Sequence, residues 1–220
     1  MANKPRLVVL ASGTEDGGGS GAESLVLASR NGVLDAEVVA FVSNHARGGV
    51  YRRARELGVT FLHFPASWTA PAYRAIVGAF NSDYVALSGW LKPAVGLDPR
   101  TTFNIHPGPL NDVGRRFGGK GMYGHHVHDA VLKAYQAGEI THSAVSMHFV
   151  TERYDAGPVF FHMPVKLFAS DTADSIGKRV NMVEHLWQAT ITNIVVQGKI
   201  SWDGEDPSSL RVPDGYDLVP

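Results

Sequence analysis

Asn104 and His106 stand two residues apart in Phe103-Asn104-Ile105-His106-Pro107. On a β-strand that spacing points both side chains from one face. An amide beside an imidazole suits acyl transfer to an amine, because the amide N–H stabilises a tetrahedral oxyanion while the imidazole manages the proton. Taken alone, such a pair is more often two hydrogen-bonding residues in a loop. A second polar stretch, Val150 to Pro158, separates two apolar runs and contains Asp155 just before a Gly-Pro turn. Beside His106, its carboxylate would orient the imidazole and favour the charged ring. The competing reading is an Asp that opens a turn through its own backbone.

A third candidate is Gly17-Gly18-Gly19-Ser20-Gly21-Ala22-Glu23. As a dinucleotide fingerprint it fails: Ser24 stands where the third glycine belongs, and the next strand ends Phe41-Val42-Ser43-Asn44 without a ribose-binding acid. What remains is a run of backbone N–H groups opening a helix, a cradle for a phosphate monoester; the alternative is a glycine loop with no ligand. His125, His126 and His128 beside Asp129 invite a metal reading. Histidines two apart on a helix diverge and no helical carboxylate–histidine motif follows, so no metal is expected. His126 or His128 is instead expected to line the site near His106.

These residues need a frame. Leu7 to Ala11 is a short apolar run that reads as a strand buried on both faces. The glycine loop and a helix over Glu23 to Asn31 follow, then a strand at Ala36 to Val42, a helix at Gly49 to Leu57 and a strand at Thr60 to Phe64. A helix at Ala70 to Phe80 leads into a strand at Tyr84 to Ser88. Alternating strands and helices predict an α/β fold with a doubly wound, mostly parallel sheet. Asn104 and His106 then lie at the C-terminal end of a strand at Thr102 to Ile105, the edge where such sheets bind ligands. Beyond it the sheet becomes mixed, with a helix at Tyr123 to Ala137 and strands at Ala144 to Val150 and Val159 to Pro164. The longest helix runs from Ala173 to Val196, apolar at Ile176, Val180, Val183, Leu186, Trp187 and Ile191. The last twenty residues, rich in Pro, Asp and Gly, are expected to be extended or loose.

Bulk composition narrows the function. The chain has 220 residues, 44% of them hydrophobic and 19% charged, the make-up of an ordinary globular protein. A net charge of −1, with both signs scattered, offers no footprint for nucleic acid. With no cysteine, disulfides, thiolate metal sites and a cysteine nucleophile are excluded, and a cytoplasmic location fits. No apolar run approaches the ~20 residues of a membrane span, and Met1 to Arg6 does not form a signal peptide.

The segments gain specificity together. Asn104-Ile-His106-Pro, followed further along by His148-Phe-Val-Thr-Glu-Arg-Tyr-Asp155-Ala-Gly-Pro, resembles the paired signature of the folate-dependent formyltransferase family. The resemblance runs from Leu7 to about Trp202 and takes in the glycine loop, Leu87-Ser-Gly89-Trp90-Leu-Lys92, Gly124-x-His126-x-His128 and Glu184-His185. It implies a Rossmann-like formyltransferase fold over residues 1–202, with a phosphate-binding half (1–100), a catalytic and folate half (101–202) and a C-terminal tail (203–220). It also implies 10-formyltetrahydrofolate as co-substrate and glycinamide ribonucleotide as acceptor, in purine synthesis. Asn104 would stabilise the oxyanion, His106 would act on the proton or as an electrostatic stabiliser, and Asp155 would hold His106 and a proton-relay water. Gly18, Gly19, Ser20, Gly21, Ala22, Glu23 and Glu184 would bind the substrate phosphate and ribose. Leu87, Trp90, Leu91, Lys92, Pro93, Val150, Thr151 and Tyr154 would hold the folate, although family members often have arginine where Lys92 stands. A monomer or homodimer is expected.

Two departures stand out: the glycine loop is longer than the family pattern, through Gly13 to Gly17, and an insertion from Gly108 to Met122 carries Arg115, Arg116 and Lys120. The insertion is expected to border the active site, either as a lid over the substrate phosphate or folate tail or as a solvated loop. Rival readings are a formyl-folate hydrolase, an amino-sugar or initiator-tRNA formyltransferase, and a non-catalytic folate or nucleotide binder. The first three are expected to need a further N- or C-terminal domain for which this length leaves no room. A binder has no need for Asn104, His106 and Asp155 together.

Overall fold

The computed structural model describes residues 3–110 and 116–218. Seven strands form one sheet: β1 (Arg6–Leu10), β2 (Glu37–Ser43), β3 (Thr60–His63), β4 (Tyr84–Ser88), β5 (Thr102–His106), β6 (His142–Phe149) and β7 (Val159–Lys166). Their spatial order is β3-β2-β1-β4-β5-β6-β7. The first five are parallel, whereas β6 is antiparallel to β5 and β7 antiparallel to β6. The expected doubly wound, mostly parallel sheet with a mixed C-terminal part is the observed architecture.

Both faces are covered. Along β1, Leu7 and Val9 enter one apolar cluster while Val8 and Leu10 enter the other, the period-two pattern of a strand buried on both sides. The larger cluster packs beneath α1 (Ser20–Arg30), α4 (His125–Gln136) and α5 (Ala173–Val196), with Val50 and Ala54 of α2 (Gly49–Leu57) joining it. The smaller gathers Tyr73 and Ile76 of α3 (Ala70–Ala79) with Phe64 and Trp90. Because β1 is flanked by β2 on one side and β4 on the other, the chain reverses its direction of progress across the sheet there. At that switch point the loops after β1 and β4 splay apart and leave a crevice at the C-terminal strand ends. Ser12 ties the two loops, donating its N–H to Gly89 O at 2.9 Å and accepting Leu91 N–H on its hydroxyl at 3.0 Å.

Three details differ from the sequence expectation. Helix α1 begins at Ser20, three residues before Glu23, with left-handed Gly19 as its cap. Leu186 is 69% exposed rather than part of the apolar stripe of α5. The C-terminal stretch is ordered: Ser201 bridges Arg211, Pro207–Ser209 forms a 3-10 turn, and Leu210, Val212 and Tyr216 pack on the main core. Helix α5 starts with a reciprocal cap, Thr172 Oγ1 accepting Ser175 N–H at 3.2 Å and Ser175 Oγ accepting Thr172 N–H at 3.0 Å.

The β6–β7 connection fixes Asp155. Its backbone is left-handed (φ 50°), a conformation Asp tolerates better than most residues. Gly157 then passes so close to the end of β6 that an added Cβ would overlap the Phe149 carbonyl. Gly157→Ala is therefore expected to lower unfolding free energy by about 1–3 kcal/mol. Urea denaturation beside the wild type checks this, and an unchanged midpoint would refute the close-approach argument.

Candidate active site

Four elements converge at the end of β5. Strand alternation presents Asn104 and His106 together, and the antiparallel register places His148 of β6 opposite Asn104. Asn104 Nδ2 lies 3.1 Å from His148 Nε2. His148 Nδ1–H donates to Phe149 O at 2.7 Å, which turns Nε2 toward the Asn104 amide. The β6–β7 loop brings Asp155 Oδ1 to 3.3 Å from the same Nε2 and Oδ2 to 3.8 Å from His106 Nδ1. The inserted segment closes the group: His106 Nε2–H donates to Phe117 O at 2.7 Å, and Gly119 N–H donates to Asp155 Oδ2 at 2.7 Å.

The charges follow from this geometry. Burial raises the Asp155 carboxyl, but the His148 hydrogen bond, the neighbouring imidazoles and the Gly119 amide outweigh it and bring it down to about 2. For His106 the balance is reversed. Burial pushes its pKa down, and the attraction of Asp155 and the Phe117 carbonyl only partly offset that. The site at neutral pH therefore pairs a carboxylate with an uncharged imidazole. The 3.8 Å separation from Asp155 is too long for a direct hydrogen bond. His106 Nδ1 and Asp155 Oδ2 are then two acceptors facing each other, an arrangement matched to a proton donor shared between them.

These groups open on a cavity of about 610 Å³. Its far end is the glycine loop, where Gly18 (φ 85°) and Gly19 (φ 82°) are both left-handed and α1 has no side-chain cap. The uncapped N–H groups and the positive end of the helix dipole face the cavity through Gly18, Gly19, Ser20 and Gly21. Two residues expected here point elsewhere. Ala22 is fully buried on the core face of α1, and Glu23 turns to Arg53, which also donates to Gly18 O at 3.1 Å. Along one stripe of α5 the cavity meets Gly177, Asn181, Glu184, His185 and Gln188. His185 Nε2 lies 3.0 Å from Ser20 Oγ. Glu184 accepts Asn181 Nδ2–H at 3.2 Å, and its removal from bulk water holds its carboxyl up to about 7.

The expected folate wall is contiguous. Leu87, Trp90, Lys92, Pro93, Val150, Thr151 and Tyr154 line a recess of about 50 Å³ that shares Asn104 and Asp155 with the large cavity, while Leu91 lines the cavity itself. Trp90 is core and wall at once, stacked on Phe64 at 6.1 Å and donating Nε1–H to Tyr73 Oη at 2.9 Å. Tyr73 in turn donates to Pro93 O at 2.6 Å, so α3 holds the recess loop by a buried relay. Lys92 Nζ sits 4.9 Å above the Trp68 ring.

Of the inserted charges, Lys120 lines the cavity, Arg116 pairs with Glu139, and Asn111 to Arg115 lie outside the described residues. His128 lines the cavity, burial holding its pKa down to about 4. His126 instead packs edge-on against Tyr123, and His125 sits on the surface near Asp129 and Asp174. Sequence reasoning did not assign His148, Phe117, Gly119 or Asn181 to the site. The signals available were the inserted segment, expected to border the site and containing Phe117 and Gly119, and the place of His148 at the head of the stretch that ends in Asp155.

Comparison with known proteins identifies the family of the chain. Residues 5–192 match the family model for formyl transferase. The chloroplastic phosphoribosylglycinamide formyltransferase of Vigna unguiculata is 32% identical over 209 residues, covering 90% of this chain and 63% of that protein. The Arabidopsis thaliana protein of the same name is 30% identical, covering 90% and 68% respectively. The chain thus spans about two thirds of these relatives' lengths. Among solved structures, glycinamide ribonucleotide transformylase 1 from Symbiobacterium toebii superposes with a TM-score of 0.80 at 24% identity, covering 97% of this chain and 96% of that one.

The depressed Asp155 carboxyl makes a stability prediction. Its folded value of about 2 lies below the ordinary 3.8, so ionised Asp155 stabilises the fold above about pH 4, and that contribution is lost as pH falls through about 2. The contribution amounts to about 2 kcal/mol. Urea unfolding of wild type and Asp155→Asn is expected to differ most near neutrality and to converge on acidification below about pH 4. A gap independent of pH would remove the carboxylate from the account.

Proposed function

The chain belongs to the formyl transferase family, and from that premise we propose that it moves the formyl group of 10-formyltetrahydrofolate onto the amine of glycinamide ribonucleotide, in purine biosynthesis. The observation that carries this reading is one cavity with an amide–imidazole–carboxylate group at one end and an uncapped helix N-terminus at the other. A phosphorylated amine fits that span, its phosphate at Gly18 to Gly21 and its ribose near Glu184. The recess of Leu87, Trp90, Lys92, Pro93, Val150, Thr151 and Tyr154, with Leu91 beside it, is the proposed seat of the folate. A hydrolase needs only water and has no use for an anion cradle across the cavity.

In this mechanism the amine nitrogen bonds to the formyl carbon and the carbon–N10 bond breaks. Asn104 donates an amide hydrogen to the oxyanion that forms between the two events. His106, neutral and with Nδ1 unprotonated, receives the amine proton in the gap beside Asp155, and the proton passes on to N10 of the leaving folate. Asp155 stabilises the transient imidazolium, as a buried carboxylate next to a ring that gains charge must. The first hundred residues supply the phosphate grip and, through Leu87 to Pro93, one wall of the folate recess; the remainder to Trp202 supplies the chemistry, the other wall and Glu184, and residues 203–220 form a tail. Every group invoked comes from a single chain, so a monomer or a homodimer serves equally. Among the described residues no helix is long and apolar enough to cross a membrane, and the cytoplasm is the proposed compartment.

Loss of 10-formyltetrahydrofolate is to be followed spectrophotometrically, with and without glycinamide ribonucleotide. Acceptor-dependent loss is expected, falling about 10²- to 10⁴-fold in His106→Ala. Loss without acceptor would show a hydrolase, and no loss would send the search to phosphorylated amino-sugars. Asp155→Asn is expected to lower kcat by orders of magnitude while the folate Kd, measured by fluorescence titration, stays nearly constant. Equal losses in both would take Asp155 out of the proton path.

A further inference from the structure

Phe117, Gly118 and Gly119 belong to the insertion whose role the sequence leaves open. The Phe117 ring is sealed into the main core at 2% exposure, which anchors the backbone around it. That backbone addresses both groups of the proton path. Phe117 O accepts the His106 Nε2–H and, two residues on, Gly119 N–H donates to Asp155 Oδ2, each at 2.7 Å. A carbonyl can only accept, so His106 carries its proton on Nε2 and keeps the Nδ1 lone pair toward Asp155. An amide N–H can only donate, so Gly119 favours the ionised carboxylate.

Glycines keep the space for these contacts open. A Cβ at Gly108 would lie 3.2 Å from His106 Nε2, 3.4 Å from Phe117 O and 2.6 Å from Val127 Cγ1. A Cβ at Gly118 would lie 3.2 Å from Asp155 Cβ and 3.3 Å from its Oδ2. Both glycines sit outside the left-handed region, so what they answer is crowding and not backbone conformation.

We propose that Phe117 to Gly119 form a backbone clamp that selects the Nε2–H tautomer of His106 and seats Asp155, with Phe117 as the positioning residue. The clamp's effect on turnover rests on the formyl-transfer reading; the clamp itself is a property of the free protein. The experiment joins the two. Nitrogen-15 imidazole spectra of the free protein are compared for wild type, Phe117→Leu, Phe117→Ala and Gly108→Ala, and kcat and KM are measured for the same four.

Wild type and Phe117→Leu are expected to show a single tautomer protonated at Nε2, and Phe117→Ala and Gly108→Ala a mixture. Turnover should fall about 10- to 100-fold in the latter two, with KM for both substrates changing less than about threefold. Phe117→Leu should recover most of the rate. A pure Nε2–H tautomer in both Phe117→Ala and Gly108→Ala would overturn the clamp, as would full turnover in variants whose tautomer is lost. Should Phe117→Ala not fold, Gly108→Ala crowds the His106–Phe117 contact and Gly118→Ala the seat of Asp155, neither opening a hole. Should the wild type transfer no formyl group, the function reading fails and the spectra still decide the clamp.

Discussion

A carboxylate withdrawn from water is the constraint around which the site is organised. The Asp155 side chain is 11% exposed, and an ion so placed costs several kcal/mol unless donors surround it. The donors come from separate parts of the chain: the imidazole of His148 from β6 and the amide of Gly119 from the inserted segment. Asp155 itself hangs from the β6–β7 loop in a left-handed conformation, and Gly157 lets that loop pack directly on the Phe149 carbonyl. The β5–β6 register, the insertion and the hairpin loop must therefore all be right together. An error in any one would leave a charge buried without its partners.

The change of strand direction explains why such a group lies beside an anion cradle. Parallel strands end at one edge with loops and helix N-termini, which supply N–H groups and a positive dipole end. The β6–β7 loop leaves the sheet beside the start of β5, where Phe149 pairs with Phe103, and folds back to bring its negative group to His106 and His148. The cavity between them separates opposite potentials. His106 stands on β5, at the boundary of the two arrangements, and remains uncharged because burial outweighs the pull of the carboxylate. A neutral ring poised beside a carboxylate is able to gain a proton during a reaction and lose it again.

Much of this was legible in the sequence, and the parts that were not share a cause. The limits of α2, β4 and α5 are those expected from periodicity, because Gly58, the apolar run Val85 to Leu87 and the Thr172 cap punctuate them locally. Helix α1 begins earlier than its glycine-rich start suggested, since Gly21 packs against Ser88 and Gln188 where no side chain fits. Asn104, His106 and Asp155 were nominated by chemistry and spacing and are found together. His148 and Phe117 were not, for their places depend on strand pairing and on a ring buried far from its neighbours in sequence. Ala22 and Glu23 were nominated by adjacency to the glycine loop, but the 100° step of a helix turned one into the core and the other to Arg53.

The left-handed backbone at Asp155 also shapes how this chain can drift. Asn and Gly are the substitutes that accept such a conformation readily, and neither carries a charge. Glu would keep the charge but bring a longer side chain and a backbone ill suited to it. The neighbouring steps in sequence space at this position thus preserve the fold and the cavity while discarding the carboxylate. Lineages that relax selection on catalysis here would pass into silent binders of the same ligands sooner than into slower enzymes.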